Sequence, residues 1–260
     1  MAFTLDNIRL YGLYGLNLFG FGGEGENFYF DISNGVAAGL IALFILCGVI
    51  GYLLGSLNFA VIISRLKYHD DIRKYGSGNA GTTNMMRTYG RAAGIVTFVL
   101  DILKGVVAVY LAWFALGEAG GHFAGLCCMI GHCFPIWYKF KGGKGVAVGA
   151  AMILCLEPVI FLFVLVIFVL VVLFSRYISL GSIMAVLMYP VLLNNLSNLR
   201  PQSPFAFVVV LCSILTAVLV VFQHRENMQR LLNHTENKFS FKKKGEKKVK
   251  ETAENFPEEK

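Results

Sequence analysis

Long, nearly unbroken apolar runs alternate along this chain with short polar segments, and a soluble core could not absorb all of them. The first run, Val36–Leu66, rises about 1.5 Å per helical residue and exceeds the ~20 residues that span a bilayer, so it is expected to be tilted or broken. Its second half carries Gly51, Gly55, Ser56 and Asn58, and it closes on Arg65 and Lys67. Further runs cover Ala92–Leu116 and, after the turn GEAGG, His122–Tyr138. A long block then reaches Phe174. Glu157-Pro158 divides it in two, because proline starts helices well and continues them badly. The last runs are Leu180–Leu193 and Phe205–Phe222. The pattern predicts an all-α integral membrane protein with seven transmembrane helices.

Residues 1–35 are aromatic, Gly-rich and mildly acidic, without the basic segment and apolar stretch of a signal peptide, and read as an N-terminal extracytoplasmic extension. The helical domain occupies residues 36–239. Residues 240–260 form a Lys/Glu-rich cytoplasmic tail of disordered composition. Seven spans put the termini on opposite sides. Of the 23 Lys and Arg, this threading leaves Arg9 and Arg200 on one side and Lys104 inside a span, with all the rest on the other side. Positive residues stay inside, so the N-terminus is expected outside and the C-terminus in the cytoplasm.

Composition agrees: 56% of residues are hydrophobic and 15% charged, against about 25% charged in a soluble domain. The net charge of +7 sits in loops and tail, where topology and anionic lipid account for it, and nucleic acid is not an expected partner. Cys47, Cys127, Cys128, Cys133, Cys155 and Cys212 all fall in apolar stretches and read as small buried hydrophobes, with no metal-ligand spacing.

The polar segments carry the candidate chemistry, and the threading gathers four of them on the cytoplasmic face. YGSGNAGTTNMMRTYG (Tyr75–Gly90) combines glycines that let backbone N–H groups approach a ligand with short hydrogen-bonding side chains and flanking arginines, which together suit a phosphate. It formally contains G-x-G-x-x-G. KYHDDIRKY precedes it instead of a buried strand, which rules out a dinucleotide fold. KFKGGKG (Lys139–Gly145) is not a Walker A loop. Lys144 reads either as an anion contact at a helix start or as a positive-inside anchor. Asp101 and Lys104, i and i+3, read either as a functional pair in the membrane or as a structural ion pair. His132 and His224 are candidate acid–base groups. His224 is the more suggestive of the two, because Asn227 shares its helical face. No histidine has an Asp five positions on, so the H-x-x-x-x-D acyltransferase arrangement is missing.

The set LLGSLNFAVIISRL, GSGNAGTTNMMRTYG, DILKG, GHCFPIWYKFKGGKGVA, SRYISLGSI and HRENMQRLLNHTE resembles, from Tyr52 to Glu236, the bacterial membrane acyl-phosphate:glycerol-3-phosphate acyltransferases. The resemblance implies a seven-helix bundle in the bacterial plasma (inner) membrane with a cytoplasmic site. It also implies transfer of a fatty acyl group from acyl phosphate to the sn-1 hydroxyl of glycerol 3-phosphate. The products would be lysophosphatidic acid and phosphate, the first step of phospholipid synthesis, with no cofactor or metal. The implied partners are the two substrates, membrane lipids and a soluble enzyme that forms acyl phosphate.

By the same resemblance the essential serine and arginine fall on Ser56 and Arg65, and the glycerol-3-phosphate loop falls on Gly76, Ser77, Gly78, Asn79, Gly81, Thr83 and Asn84, with Arg87 beside it. The functional histidine and asparagine fall on His224 and Asn227, and a structural glutamate on Glu236. Lys144, Gly142, Gly143, Ser179 and Ser182 look like further phosphate contacts. Many members have Pro at Asn58 and Ala at Thr82. Without a Ser/His/Asp constellation, direct transfer with no acyl-enzyme is expected. The proton acceptor is either His224 or the donor's own phosphate, with the balance toward the phosphate. A transporter for a phosphorylated metabolite is the main rival class, but it requires motifs at mid-membrane depth and internal repeats that the sequence lacks. A non-catalytic lipid-binding scaffold is the second.

Overall fold

The computed structural model describes residues 34–197 and 205–239. The bulk of the N-terminal extension, Arg9, Arg200 and the tail from 240 lie outside the described residues. The elements are α1 (Asn34–Ser56), α2 (Phe59–Tyr68), a 3-10 turn (Ile72–Lys74), α3 (Thr82–Tyr89) and α4 (Arg91–Cys133). After a second 3-10 turn (Ile136–Tyr138) come α5 (Val146–Leu156), α6 (Pro158–Ser175), α7 (Ile178–Ser197), α8 (Ala206–Gln223) and α9 (Arg225–Leu232). Among the described residues five helical stretches are long and apolar enough to cross a membrane: Ala38–Tyr68, Arg91–Tyr138, Pro158–Ser175, Ile178–Leu196 and Ala206–Gln223. Val146–Leu156 is a shorter apolar helix. The outer surface is as apolar as the core. Of α6 only Ile160 and Val164 are buried, while Leu162, Phe163, Val166 and Leu170 face outward, as lipid contact requires. The chain is a multi-pass membrane protein.

The first apolar run is broken, one of the two outcomes its length predicted. α1 ends at Ser56, and Asn58 starts α2 by accepting the Val61 N–H at 3.1 Å. Its amide also donates to the Ala80 carbonyl at 3.3 Å, tying the break to the glycine-rich loop. Proline at this position could not make that bond.

At GEAGG the chain turns as expected, at a kink that joins two helices. Gly117 (φ 66°, ψ −156°) leaves helical geometry and separates two arms of α4, 91–116 and 118–133, which fold back on each other so that Gly120 lies against the Ala112 carbonyl. Ala119, Gly120 and Gly121 are buried at the start of the second arm, where the small residues let the helices approach closely. The helix ends at Cys133 rather than Tyr138, because Phe134 precedes Pro135 and is pushed out of the α region (φ −126°, ψ 64°).

Small residues allow α1 and α4 to pack backbone against backbone. A Cβ on Gly55 would lie 2.0 Å from the Cys128 carbonyl oxygen, and one on Gly131 would lie 2.1 Å from that of Tyr52. Around this seam Val109, Met129, Met152, Ile160, Tyr189 and Val220 form the main core. A smaller core of Ala60, Val61, Ile72, Ala80 and Met85 sits under the polar loops, with Tyr68 stacked on Tyr89 at 4.0 Å. It turns the glycine-rich segment into a built platform. Replacing Gly55 or Gly131 with Ala should force the seam apart and cost about 1–3 kcal/mol, read as a lower thermal midpoint of the detergent-solubilised protein; an unchanged midpoint would contradict this packing.

Candidate active site

Asn84 organises the glycine-rich loop from inside. Its Oδ1 accepts the Ser77 N–H at 3.1 Å, and its Nδ2 donates to the carbonyls of Tyr75 (2.9 Å), Asn79 (3.0 Å) and Ile72 (3.3 Å). The loop closes around it through positive φ at Gly76 (58°) and Gly78 (69°), the region glycine adopts without strain. It then runs into the N-terminus of α3, which has Gly81 at its cap and no side-chain cap bond, so its first N–H groups remain available.

A second such start faces it. Gly145 (φ 79°) opens α5, again without a side-chain cap. The preceding GGKG segment lies on the end of α4, with Gly142 and Gly143 donating to the carbonyls of Cys133 (3.1 Å) and His132 (3.0 Å). The two loops meet where Ala80 N–H donates to Gly142 O at 3.4 Å.

Between them lies a cavity of about 230 Å³. Ser77, Asn79, Gly81, Thr83, Asn84 and Arg87 line it from the first loop and Lys144 from the second; Ser179, Ser182, His224, Asn227 and Glu236 close it from α7 and the C-terminal segment. Phe98, Val146, Phe168 and Ile178 give it an apolar side. One space thus has helix N-termini and cations on one flank and hydrocarbon on the other, the division needed by a molecule with an anionic head and a fatty chain.

Lys144, half-buried in this wall, donates to Asn227 Oδ1. Asn227 Nδ2 donates to Glu236 Oε1 at 2.7 Å, which also accepts Ser179 Oγ–H at 2.9 Å; Arg230 Nε donates to Glu236 Oε2 at 2.9 Å. Burial disfavours the ammonium and lowers the Lys144 pKa to about 8, against partial support from the Glu236 charge. Burial opposes ionisation of Glu236 too, but the bonds from Arg230, Asn227 and Ser179 outweigh it and hold the carboxyl below its ordinary value. His224 donates Nδ1–H to the Val220 carbonyl at 2.7 Å. Burial, then the Lys144 charge, lowers its pKa to about 4, so it is neutral at pH 7 with Nε2 as an acceptor.

The sequence-predicted residues do not all converge. Ser56 is fully buried at the α1–α2 break, donating to Tyr52 O at 2.9 Å and accepting Ile136 N–H at 3.5 Å, outside the cavity lining. Arg65 is half exposed. It pairs with Asp71 at 3.0 Å and lies 5.4 Å from the Tyr138 ring centre. Asp71 also pairs with Arg73 at 2.7 Å, and Arg73 reaches the Tyr138 carbonyl at 2.7 Å, so this cluster straps the two loops together from outside. Gly76, Gly78, Gly142 and Gly143 shape the loops without lining the cavity. Arg230 and Thr82 line it although the sequence assigned them no role, and so do His132, a candidate acid–base group, and Asp101, whose pairing with Lys104 had two readings. For Arg230 the signal was present: with Asn227 three residues earlier it shares the face that turns inward.

Glu236→Ala should destabilise the fold by about 2–3 kcal/mol through the bonds it removes. Because folding depresses its pKa, the contribution of Glu236 is present above its ordinary value of 4.5 and disappears as pH falls below it. Thermal midpoints compared between wild type and Glu236→Gln should converge at acid pH, and a constant gap would exclude this role.

The sequence profile of the glycerol-3-phosphate acyltransferase family matches residues 45–234. A glycerol-3-phosphate acyltransferase of Finegoldia magna is 38% identical over 194 residues, 75% of this chain and 95% of its own length. One from Clostridioides difficile is 39% identical over 206 residues, 77% and 97% of the two chains. The crystal structure of PlsY (YgiH), an integral membrane glycerol 3-phosphate acyltransferase, in its glycerol 3-phosphate form superposes with a TM-score of 0.69 at 34% identity, covering 76% of this chain and 96% of that one. Its lysophosphatidic acid form gives 0.67 at 33%, covering 76% and 95%.

Proposed function

This chain belongs to the glycerol-3-phosphate acyltransferase family, and we propose that it moves a fatty acyl group from acyl phosphate to the sn-1 hydroxyl of glycerol 3-phosphate, yielding lysophosphatidic acid and inorganic phosphate. The observation that carries this reading is the divided cavity, with two uncapped helix starts and Lys144, Arg87 and Arg230 at its polar flank and an apolar wall beside them. Acyl phosphate combines these features in one molecule. Its acyl carbon is already activated, so the protein has only to orient both partners and stabilise charge at the carbonyl and the departing phosphate.

In this mechanism the acceptor hydroxyl oxygen attacks the acyl carbon, the bond to the phosphate oxygen breaks, and the hydroxyl proton passes to the leaving phosphate. No acyl-enzyme forms. Lys144 and the N–H groups opening α5 hold the departing phosphate, and the glycine-rich loop with Arg87 holds glycerol 3-phosphate. The neutral His224, with a pKa of about 4, is a weak base at pH 7. This supports proton transfer to the phosphate, with His224 Nε2 orienting the hydroxyl by accepting its hydrogen bond. Ser56 and Arg65 act from outside the cavity lining, Ser56 at the α1–α2 break and Arg65 through the Asp71 strap. The helical domain spans residues 36–239 with seven crossings, α4 counting twice about Gly117, and the N-terminus lies outside a bacterial plasma membrane. That topology puts the site on the cytoplasmic face, where a soluble enzyme can deliver acyl phosphate. Residues 1–35 are an extracytoplasmic extension and 240–260 a cytoplasmic tail.

Purified protein given palmitoyl phosphate and glycerol 3-phosphate should release lysophosphatidic acid and phosphate in equal amounts. Inactivity with both acyl phosphate and acyl-CoA would overturn the enzymatic reading. Lys144 must be protonated to hold an anion, so kcat/KM should be level below pH 8 and fall above it. Lys144→Arg, if it keeps activity, should push that alkaline limb beyond the measurable range, whereas an unmoved limb assigns it to another group. His224→Gln should lower turnover about 10- to 100-fold without abolishing it. Complete loss with intact folding and glycerol 3-phosphate binding would rule out proton transfer to the phosphate.

A further inference from the structure

Beneath the two loops, inside α4, lies a buried group that the reaction above does not use: Asp101, Lys104 and His132. Lys104 Nζ hydrogen-bonds the carbonyls of Gly55 (3.1 Å) and Leu57 (2.8 Å) and His132 Nδ1 (2.9 Å). Asp101 Oδ1 lies 2.8 Å from the same nitrogen as an ion pair, but without hydrogen-bond geometry. An ammonium has three protons and no lone pair, so these three bonds exhaust it, and in each it must be the donor. Asp101 Oδ1 lies 3.5 Å from His132 Nδ1, farther than Lys104 Nζ at 2.9 Å, and a proton on Nδ1 would face the ammonium, so we read Nδ1 as the acceptor of the Lys104 proton. The neutral ring then carries its proton on Nε2.

That Nε2 edge faces the seam of the loops. A Cβ on Gly143 would stand 2.1 Å from His132 Nε2 and 2.8 Å from the Ala80 carbonyl oxygen, so only a glycine lets the ring come this close. The residues that follow, Gly81 and Lys144, line the cavity, as does His132 itself. A fixed N–H donor at the junction of two anion-binding helix starts matches one chemical class, a phosphate oxygen.

We propose that His132 binds substrate by donating Nε2–H to a phosphate oxygen, and that Lys104 is a positioning residue that selects the tautomer. This rests on the reading that the cavity takes phosphorylated substrates. Glycerol 3-phosphate and acyl phosphate share the chemistry, and separate KM measurements tell them apart.

Two side chains separate this role from simple packing. Asn at 132 can replace the Nδ1 acceptor but not the Nε2 donor, while the longer Gln amide can return an N–H near the Nε2 position. His132→Asn should raise KM for one of the two substrates about 10- to 100-fold, with kcat changed much less, and His132→Gln should recover most of that loss. The substrate whose KM moves is the one held. In the wild-type, full-length protein with 15N-labelled histidine, Nε2 should be protonated, and its resonance should shift on addition of glycerol 3-phosphate or a non-hydrolysable acyl phosphonate. Three results overturn the proposal: a ring protonated on Nδ1, an Nε2 resonance unmoved by both ligands although radiolabelled ligand is bound, or His132→Asn with both KM values unchanged. Absence of binding by either ligand would instead overturn the reading of the cavity as a phosphate-substrate site.

Discussion

Everything at the polar end of this bundle depends on one cation, the Lys104 ammonium, held inside an apolar helix. A charge there is tolerated only if its protons are satisfied. The partners that satisfy them, the Gly55 and Leu57 carbonyls, are the unpaired acceptors at the end of α1. The break in the first apolar run and the charge in the third helix-forming stretch after it therefore answer each other's need. Because α1 must stop at Ser56, Asn58 can start α2 and reach the Ala80 carbonyl, and the glycine-rich loop is anchored to the membrane-embedded part.

The cavity above uses few charges and much backbone. Two helix starts without side-chain caps present N–H groups that cost no reorganisation on binding, and Asn84 secures their approach by filling the loop's interior. The cations are held in check. Lys144 is buried enough to titrate near pH 8, and Arg230 is engaged by Glu236, so the empty site does not expose a cluster of free positive charge. The same burial keeps His224 neutral. The Asp71 strap holds the two loops in register through Arg65 and Arg73 without adding charge to the cavity.

Much of this was legible in the chain. The length of Val36–Leu66 called for a tilt or a break, Glu157-Pro158 marked the boundary between α5 and α6, and the Asp101–Lys104 spacing allowed the ion pair that they form. The GEAGG segment marked the kink at Gly117 that divides α4, because glycine adopts without strain the positive φ that the reversal needs. Gly120 and Gly121, buried just after it, serve close packing of the helices as well. Arg230 was overlooked although its spacing from Asn227 advertised a shared face.

The sequence by itself determined that the chain lives in a membrane, that its polar motifs belong together, and which side chains suit a phosphate, because apolar run length and residue chemistry are local properties. Only the tertiary structure decided which of those residues share one space. Ser56 and Arg65 fall outside the cavity lining, and Lys144 and His224 fall inside it. Only packing could reveal that His132, a lone histidine in an apolar stretch, meets Lys104 on one ring edge and the loop seam on the other. The tautomer of a ring depends on the protons of a neighbour 28 residues away, which no local pattern records.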